Sequence, residues 1–323
     1  MELSHRSKAF EAYLERAENG IRHLLGLSDD FHVLFLQGGA SLQFGMIPLN
    51  FLRSGVADYV LSGAWGKKAL REAKLYGTAH VAASTEEGGF RRVPTPAEMA
   101  LSPDARYVHF TSNETIQGVQ WAQEPETNGV PLVCDASSDI LSRPLDAARY
   151  GLIYAGTQKN IGPAGVTLVI VRNDMLHDLS AELPTMLSYA THVKNHSLYN
   201  TPNTFGIYFV ALVCDWLDEQ GGLSAMAERA QERSRLIYDV IDGSDFYRGH
   251  AEPDSRSRMN VTFRLPSEEL EKQFAVQAAQ AGMVELKGHR DVGGLRASLY
   301  NAMPLEGAQA LADFMREFAR VNG

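Results

Sequence analysis

Two segments decide the fold of this chain: Val133-Cys134-Asp135-Ala136-Ser137-Ser138 and Gly156-Thr157-Gln158-Lys159-Asn160. The first follows an apolar strand that ends on an acid, and the second follows a strand that leads to a lysine 24 positions after Asp135. Ligands of open α/β sheets bind beyond the carboxyl ends of the strands, so Asp135 and Lys159 are expected to face one ligand. A lysine amine forms Schiff bases with carbonyl compounds, and an acid can hold a protonated pyridine nitrogen. The pair therefore predicts a site for pyridoxal 5'-phosphate (PLP).

Strands and helices alternate on both sides of these segments. Residues 7–26 have the apolar spacing of an amphipathic helix, residues 31–36 form a short apolar strand, and residues 166–171 are the most β-prone run in the chain. Residues 184–199 show no clear periodicity and predict a long loop. This alternation predicts the α/β class with a large, mainly parallel sheet.

A change in pattern marks a second domain. Gln220-Gly221-Gly222 separates two helical segments, and fewer strands in a mixed order follow it. The sequence therefore predicts a large domain over residues 1–220 and a smaller α+β domain over residues 221–323.

Composition narrows the class of protein. The 323 residues carry a net charge of −9 without a Lys/Arg-rich run, which disfavours a nucleic-acid partner. Cys134 and Cys214 lie in apolar runs and are expected to be buried, reduced thiols, and no spacing predicts a metal site. No apolar run is long enough to span a bilayer and no signal peptide is evident, so no membrane partner and a cytoplasmic location are expected.

Longer motifs resemble a known family. Asp135-Ala136-Ser137-Ser138, Ser142-Arg143-Pro144 and the run from Tyr154 to Gly165 are similar to segments of the phosphoserine aminotransferases. These are class-V, PLP-dependent transferases of fold type I. The resemblance extends from Ser4-His5-Arg6 to Asn301-Ala302-Met303-Pro304-Leu305-Glu306-Gly307.

The resemblance implies a cofactor site shared between subunits. Lys159 would hold PLP, Asp135 its pyridine nitrogen, and Trp65 would stack on the ring. Asn200 and Thr201 would reach the phosphate of the neighbouring subunit, which implies a homodimer. The implied cofactor-binding residues are Ala40, Ser41, Trp65, Thr115, Asp135, Gln158, Lys159, Asn200 and Thr201. Some relatives have an arginine that binds substrate where this chain has Ser41.

It also implies the substrates. Arg296 would bind the substrate α-carboxylate, and His5 and Arg6 would lie at the mouth of the site. His289 and Arg290 would reach into the partner's site and bind the phosphate. The implied reaction transfers an amino group between glutamate and 3-phosphohydroxypyruvate, giving 2-oxoglutarate and O-phosphoserine. A phosphorylated hydroxythreonine of vitamin B6 synthesis is a second substrate of the family that the sequence does not exclude.

The residues alone leave other interpretations open. Trp65 could be a core tryptophan, Ser4-His5-Arg6 a capped helix start, and the patch 287–296 a solvated loop. The basic face of the helix after Trp65 is interpreted as solvated; it carries Lys67, Lys68, Arg71 and Lys74. Rival functions are a serine–glyoxylate aminotransferase, a cysteine desulfurase, or a non-catalytic or nucleotide-binding α/β protein.

The first residues depart from the family pattern. The family usually has a segment before Ser4-His5-Arg6 with a Ser-Ala-Gly-Pro-like motif, whereas this sequence starts at Met1-Glu2-Leu3. A misassigned start, a cut chain and a natively short chain are the three explanations. A cut or natively short chain is expected to have a weaker active-site wall and small domain.

Overall fold

The computed structural model describes residues 4–177, 179, 182–289 and 292–323. The helices are α1 (Lys8–Leu25), α2 (Gly39–Phe51), α3 (Ala64–Ala73), α4 (Tyr189–Lys194), α5 (Thr204–Glu219), α6 (Gly222–Asp242), α7 (Glu268–Gln280) and α8 (Leu305–Asn322). The strands are β1 (Phe31–Leu36), β2 (Val56–Leu61), β3 (Thr78–Ser84), β4 (Ala105–Thr111), β5 (Asn113–Glu114), β6 (Val119–Gln120), β7 (Leu132–Asp135), β8 (Tyr150–Gly156), β9 (Thr167–Arg172), β10 (Arg248–Gly249), β11 (Asn260–Arg264) and β12 (Leu295–Ser298).

A large sheet forms the centre of the fold, with the strand order β1-β9-β8-β7-β4-β2-β3 in the described part of the chain. Strand β9 runs antiparallel to both β1 and β8, and the other neighbours are parallel. The prediction of an α/β fold with a mainly parallel sheet is confirmed. Because β1, β2, β4, β7 and β8 share one direction, their carboxyl ends meet at a single edge of the sheet.

Helices cover both faces of this sheet, so its central strands are buried on both sides. Helix α1 contributes Phe10, Leu14 and Ile21 to one core, which it shares with α5. The Ser7 hydroxyl accepts the Phe10 N–H and caps this helix. Helices α2 and α3 pack on the opposite face in a second core.

A small antiparallel sheet, β10-β11-β12, packs with α7 and α8 around a third core. Helix α6 joins the cores, because Leu223 and Met226 lie in the first core whereas Ile237 and Ile241 lie in the third. The predicted boundary after residue 220 falls between α5 and α6. The division of the chain into two domains at this boundary stays a prediction.

The prediction of a long loop over residues 184–199 is wrong, because α4 lies within it. This helix has six residues, too few to show a periodic pattern. Tertiary contacts hold it: Tyr189 is buried and stacks on Phe51 with ring centroids 5.4 Å apart. Among the described residues, no helix has both the length and the apolar character needed to cross a bilayer.

Candidate active site

Lys159 lies in the turn after β8, at the edge where the parallel strands end. Its Nζ donates a hydrogen bond of 2.8 Å to Oγ1 of Thr115 and lies 5.7 Å from the centroid of the Trp65 ring. Burial lowers the pKa of the Lys159 ammonium, and Asp135 and Glu114 act in the opposite direction. A lysine with a lowered pKa is more readily available as a neutral nucleophile.

Asp135 is the last residue of β7 and is 4% exposed. Its Oδ1 accepts the Ser137 N–H over 3.0 Å. Burial raises the pKa of Asp135, and the hydrogen bonds from Ser137 and the charge of Lys159 lower it again. The structure thus brings the acid and the lysine into electrostatic contact, as the sequence predicts.

The first turn of α3 depends on Glu114, a residue to which the sequence analysis gave no role. The Glu114 carboxylate accepts the backbone N–H groups of Trp65 (3.0 Å) and Gly66 (2.9 Å). It is fully buried, and burial raises its pKa to about 7. An acid directly before Thr115 at a strand end was the available signal. Glu114 thereby fixes the helix turn that presents Trp65.

Three buried polar atoms near these residues have no hydrogen-bond partner in the described part of the chain: Thr111 Oγ1, Trp65 Nε1 and Arg296 Nε. Thr111 lies opposite Asp135 in the sheet register. The positive charge of Arg296 acts on Lys159 and lowers its pKa further. Buried donors are normally paired, so unpaired ones at one edge indicate a polar ligand. The amine, the acid, the indole and these donors fit a pyridine cofactor with an anionic substrate.

The first turn of α2 carries Ala40 and Ser41. Its N-cap Gly38 has φ 88° and offers no side-chain cap, so backbone N–H groups stay free for an anion. Next to it, Asn200 Nδ2 donates to Gln37 Oε1 over 3.1 Å, and Gln37 Nε2 donates to the Thr201 carbonyl over 3.1 Å. The structure therefore brings Asn200 and Thr201 beside this anion-binding turn of their own chain.

The remaining predicted residues are less closely connected. Gln158 is exposed beside Lys159, and Arg296 lies in β12 of the small sheet. His5 and Arg6 lie in the turn before α1, and the hydrogen bonds described above do not include them. The His289 carbonyl accepts the Gly293 N–H. Arg290 lies outside the described residues.

On the basic face of α3, Lys67, Arg71 and Lys74 are exposed, as expected for a solvated face. This face also lines a cleft of about 1080 Å³, together with Leu61 of β2 and with Val81 and Ser84 of β3. Val292 and His250, from the part of the chain beyond α6, line the same cleft. The cleft's basic residues are Lys67, Lys68, Arg71, Lys74, His250 and Arg264.

Comparison with known proteins gives one consistent result. The family described as aminotransferase class-V matches residues 1–311. The chain is 55% identical over 325 residues to a phosphoserine aminotransferase of Herpetosiphon aurantiacus, covering 100% of this chain and 90% of the relative. It is 57% identical over 325 residues to the Desulfosudis oleivorans protein of the same name, with the same coverage.

Solved structures agree. The phosphoserine aminotransferase of Bacillus circulans subsp. alkalophilus superposes with a TM-score of 0.98 at 54% identity, covering 100% of this chain and 90% of that one. The PLP-bound phosphoserine aminotransferase of Trichomonas vaginalis superposes with a TM-score of 0.92 at 38% identity, covering 98% and 90%.

Proposed function

The chain belongs to the class-V aminotransferases, and from that membership we propose that it transfers an amino group between glutamate and 3-phosphohydroxypyruvate, giving 2-oxoglutarate and O-phosphoserine. The observation that carries this proposal is the pair formed by the half-buried Lys159 and the buried Asp135 at adjoining strand ends. It occurs in a chain that matches phosphoserine aminotransferases over its whole length. The reaction serves serine biosynthesis.

The enzyme uses PLP, as class-V membership and the PLP-bound relative indicate. When bound, this group supplies an aldehyde that condenses with amines and a protonated ring that accepts an electron pair. Lys159 Nζ would attach it, Trp65 would stack on its ring, and the free N–H groups at Ala40 and Ser41 would bind its phosphate.

The remaining roles follow from charge and position. Lys159 Nζ, which hydrogen-bonds the Thr115 hydroxyl, would accept the proton from the substrate Cα and pass it on to the cofactor. Asp135 would stabilise a positive charge on the ring nitrogen of the bound cofactor. Arg296, whose buried Nε lacks a partner among the described residues, binds the α-carboxylate of the substrate.

A cysteine desulfurase is disfavoured by the thiols. Cys134 and Cys214 are both 2% exposed. Burial raises the pKa of Cys214 to about 12 and that of Cys134 well above its ordinary value. A desulfurase needs a mobile, ionisable cysteine, and neither thiol offers one.

The visible spectrum of the purified protein tests the proposal. We expect the absorbance band of the lysine-held cofactor to convert to the amine form on addition of glutamate. It should return on addition of 3-phosphohydroxypyruvate but not of glyoxylate. Recovery with glyoxylate would favour a serine–glyoxylate aminotransferase. An absorbance band that does not change on addition of glutamate would overturn the proposed amino transfer.

We propose further that the enzyme is a cytoplasmic homodimer with shared sites. Several large apolar side chains are exposed: Leu42 and Met186 beside the anion-binding turn, Tyr199 before α5, and Phe205 and Phe209 within α5. Leu42, Met186 and Asn200 line one cavity of about 150 Å³, and the rings of Phe205 and Phe209 lie 4.9 Å apart. Clustered exposed apolar residues are typical of partner interfaces. A second copy of the chain would cover them.

Mixed dimers test whether Asn200 and Thr201 serve the partner's site. One subunit carries Lys159→Ala and the other carries Asn200→Ala with Thr201→Val; each pure dimer should be strongly impaired. Mixing them after reversible dissociation should restore about a quarter of wild-type activity, because half the dimers then hold one intact site. If the two residues serve their own chain, mixing will restore nothing.

A further inference from the structure

Two hydrogen bonds join the edge that carries Lys159 to the small sheet that carries Arg296. Asn113 Nδ2 donates to Asn260 Oδ1 over 2.8 Å, and the Asn301 backbone N–H donates to Asn160 Oδ1 over 3.0 Å. All four asparagines are buried. We call these four residues the asparagine joint.

The joint touches the site at both ends. Asn160 directly follows Lys159, and Asn113 lies two residues before Thr115, which accepts the Lys159 hydrogen bond. On the small sheet, Asn260 of β11 pairs with Ser298 of β12. Two residues further along β11, Thr262 pairs with Arg296. The asparagine joint therefore connects the strand ends that carry Lys159 to the small sheet that carries Arg296.

The amides are held in fixed orientations by further partners. Asn260 Nδ2 donates to Ser298 Oγ (3.1 Å) and Tyr300 Oη (3.2 Å). Asn113 Nδ2 also donates to Ser138 Oγ over 2.7 Å. A buried polar network with its partners in place is directional and costly to break, and it specifies one arrangement.

Asn160 and Asn301 are oriented in the same way. Asn160 Nδ2 donates to the Ile140 carbonyl over 3.0 Å, and Asn301 Nδ2 donates to the Leu141 carbonyl over 2.8 Å. Both carbonyls belong to the loop that follows Asp135. The contact between Asn160 and Asn301 is therefore also connected to the segment that carries Asp135.

Arg296 depends on this arrangement. Its buried Nε has no hydrogen-bond partner within the described ranges, and its backbone is held in β12 by the pairing with β11. Other hydrogen bonds also cross between the two parts, from Ser257 Oγ to Asn113 Oδ1 and from the Arg258 N–H to Gln120 Oε1. A shift of the small sheet would still move the arginine relative to Lys159. An apolar contact between the sheets would allow such sliding, because it has no preferred direction.

We propose that Asn113, Asn160, Asn260 and Asn301 are positioning residues that fix Arg296 opposite Lys159 and so set the affinity for the α-carboxylate of both substrates. This inference rests on the proposed function, in which Arg296 binds that carboxylate. It implies that the small sheet stays docked through both halves of the reaction.

Asn260→Ala tests the joint. We expect the KM values for glutamate and for 3-phosphohydroxypyruvate to rise together by about tenfold or more, since a displacement of an ångström at a binding group has effects of that order. The dissociation constant of glutarate, a dicarboxylate that cannot react, should rise by a similar factor. The absorbance of the lysine-held cofactor should stay unchanged, because Lys159 and Asp135 are untouched. If Asn260→Ala does not fold, Asn260→Ser, too short to bridge to Asn113, replaces it.

Tyr247→Phe is the matched control. The Tyr247 hydroxyl donates a buried hydrogen bond of 2.7 Å to the Met315 carbonyl, within the small-sheet core and outside the joint. Its loss should lower the Tm and leave KM and glutarate binding unchanged. The rise in KM for the double variant Asn113→Ala/Asn260→Ala should be smaller than the two single effects combined, because both substitutions remove the same hydrogen bond between Asn113 and Asn260.

Two results would overturn the inference. One is a lower Tm for Asn260→Ala with unchanged KM and unchanged glutarate binding; the other is an equal rise in KM for Tyr247→Phe. Failure of the proposed function looks different, because the wild-type band would then not respond to glutamate at all.

Discussion

Lys159→Ala is expected to lower kcat by at least about 10⁴-fold, the upper range for loss of a group that transfers protons. The effect should be this large because one amine both attaches the cofactor and moves the Cα proton. The absorbance band of the lysine-held cofactor should disappear with it. Rate measurements at saturating glutamate, together with the visible spectrum, check the expectation.

An exposed lysine provides the control. Lys272→Ala removes the same charge from α7, where the side chain is exposed and distant in sequence from the site. It should leave both the rate and the spectrum as in the wild type. A Lys159→Ala enzyme with more than a few percent of wild-type kcat would show that another base moves the proton.

Asp135→Asn is expected to lower kcat by about 10²- to 10³-fold, as for the loss of one electrostatic contact that stabilises developing charge. The amide keeps the size of the side chain but carries no negative charge to hold a protonated ring nitrogen. Burial raises the pKa of Asp135, and the hydrogen bonds from Ser137 and the charge of Lys159 act in the opposite direction and favour the carboxylate. Steady-state kinetics with both substrates measure the loss.

Asp139→Asn is the control that separates a loss of catalysis from a loss of protein stability. Asp139 is 5% exposed, nearly as buried as Asp135, and accepts hydrogen bonds from Ser112 and Gln120. Burial raises its pKa as well. Both variants should change the Tm, but only Asp135→Asn should lose kcat while keeping the band of the lysine-held cofactor. Equal losses of kcat in both variants would show that Asp135 has no catalytic role beyond that of any buried acid.

Much of the site was predictable because its residues stand at strand ends. Asp135 closes β7 and Lys159 follows β8, and the rule that ligands bind at the carboxyl edge places them together without coordinates. Glu114 was missed although it stands directly before Thr115 at a strand end, because that position indicates a site residue but does not show that the acid will be buried. Its role appears only when the first turn of α3 folds over it.

Local pattern also failed where tertiary contacts decide. Helix α4 is stable through Tyr189 against Phe51, a contact that periodicity over six residues cannot reveal. The basic face of α3 is exposed as interpreted, but the sequence could not show that it also lines a cleft with His250, a residue far along the chain. Such pairings join distant positions and leave no periodic trace.

The sequence by itself determined the class of fold, the acid–lysine pair and the family, since strand patterning, residue type at strand ends and long motifs are local properties of the chain. The tertiary structure alone decided how Arg296 is held opposite Lys159. That position depends on Asn113 meeting Asn260 and Asn160 meeting Asn301, across separations of 147 and 141 residues. The sequence alone does not show whether an asparagine is solvated or buried. Only its hydrogen-bond partner in the folded structure shows this.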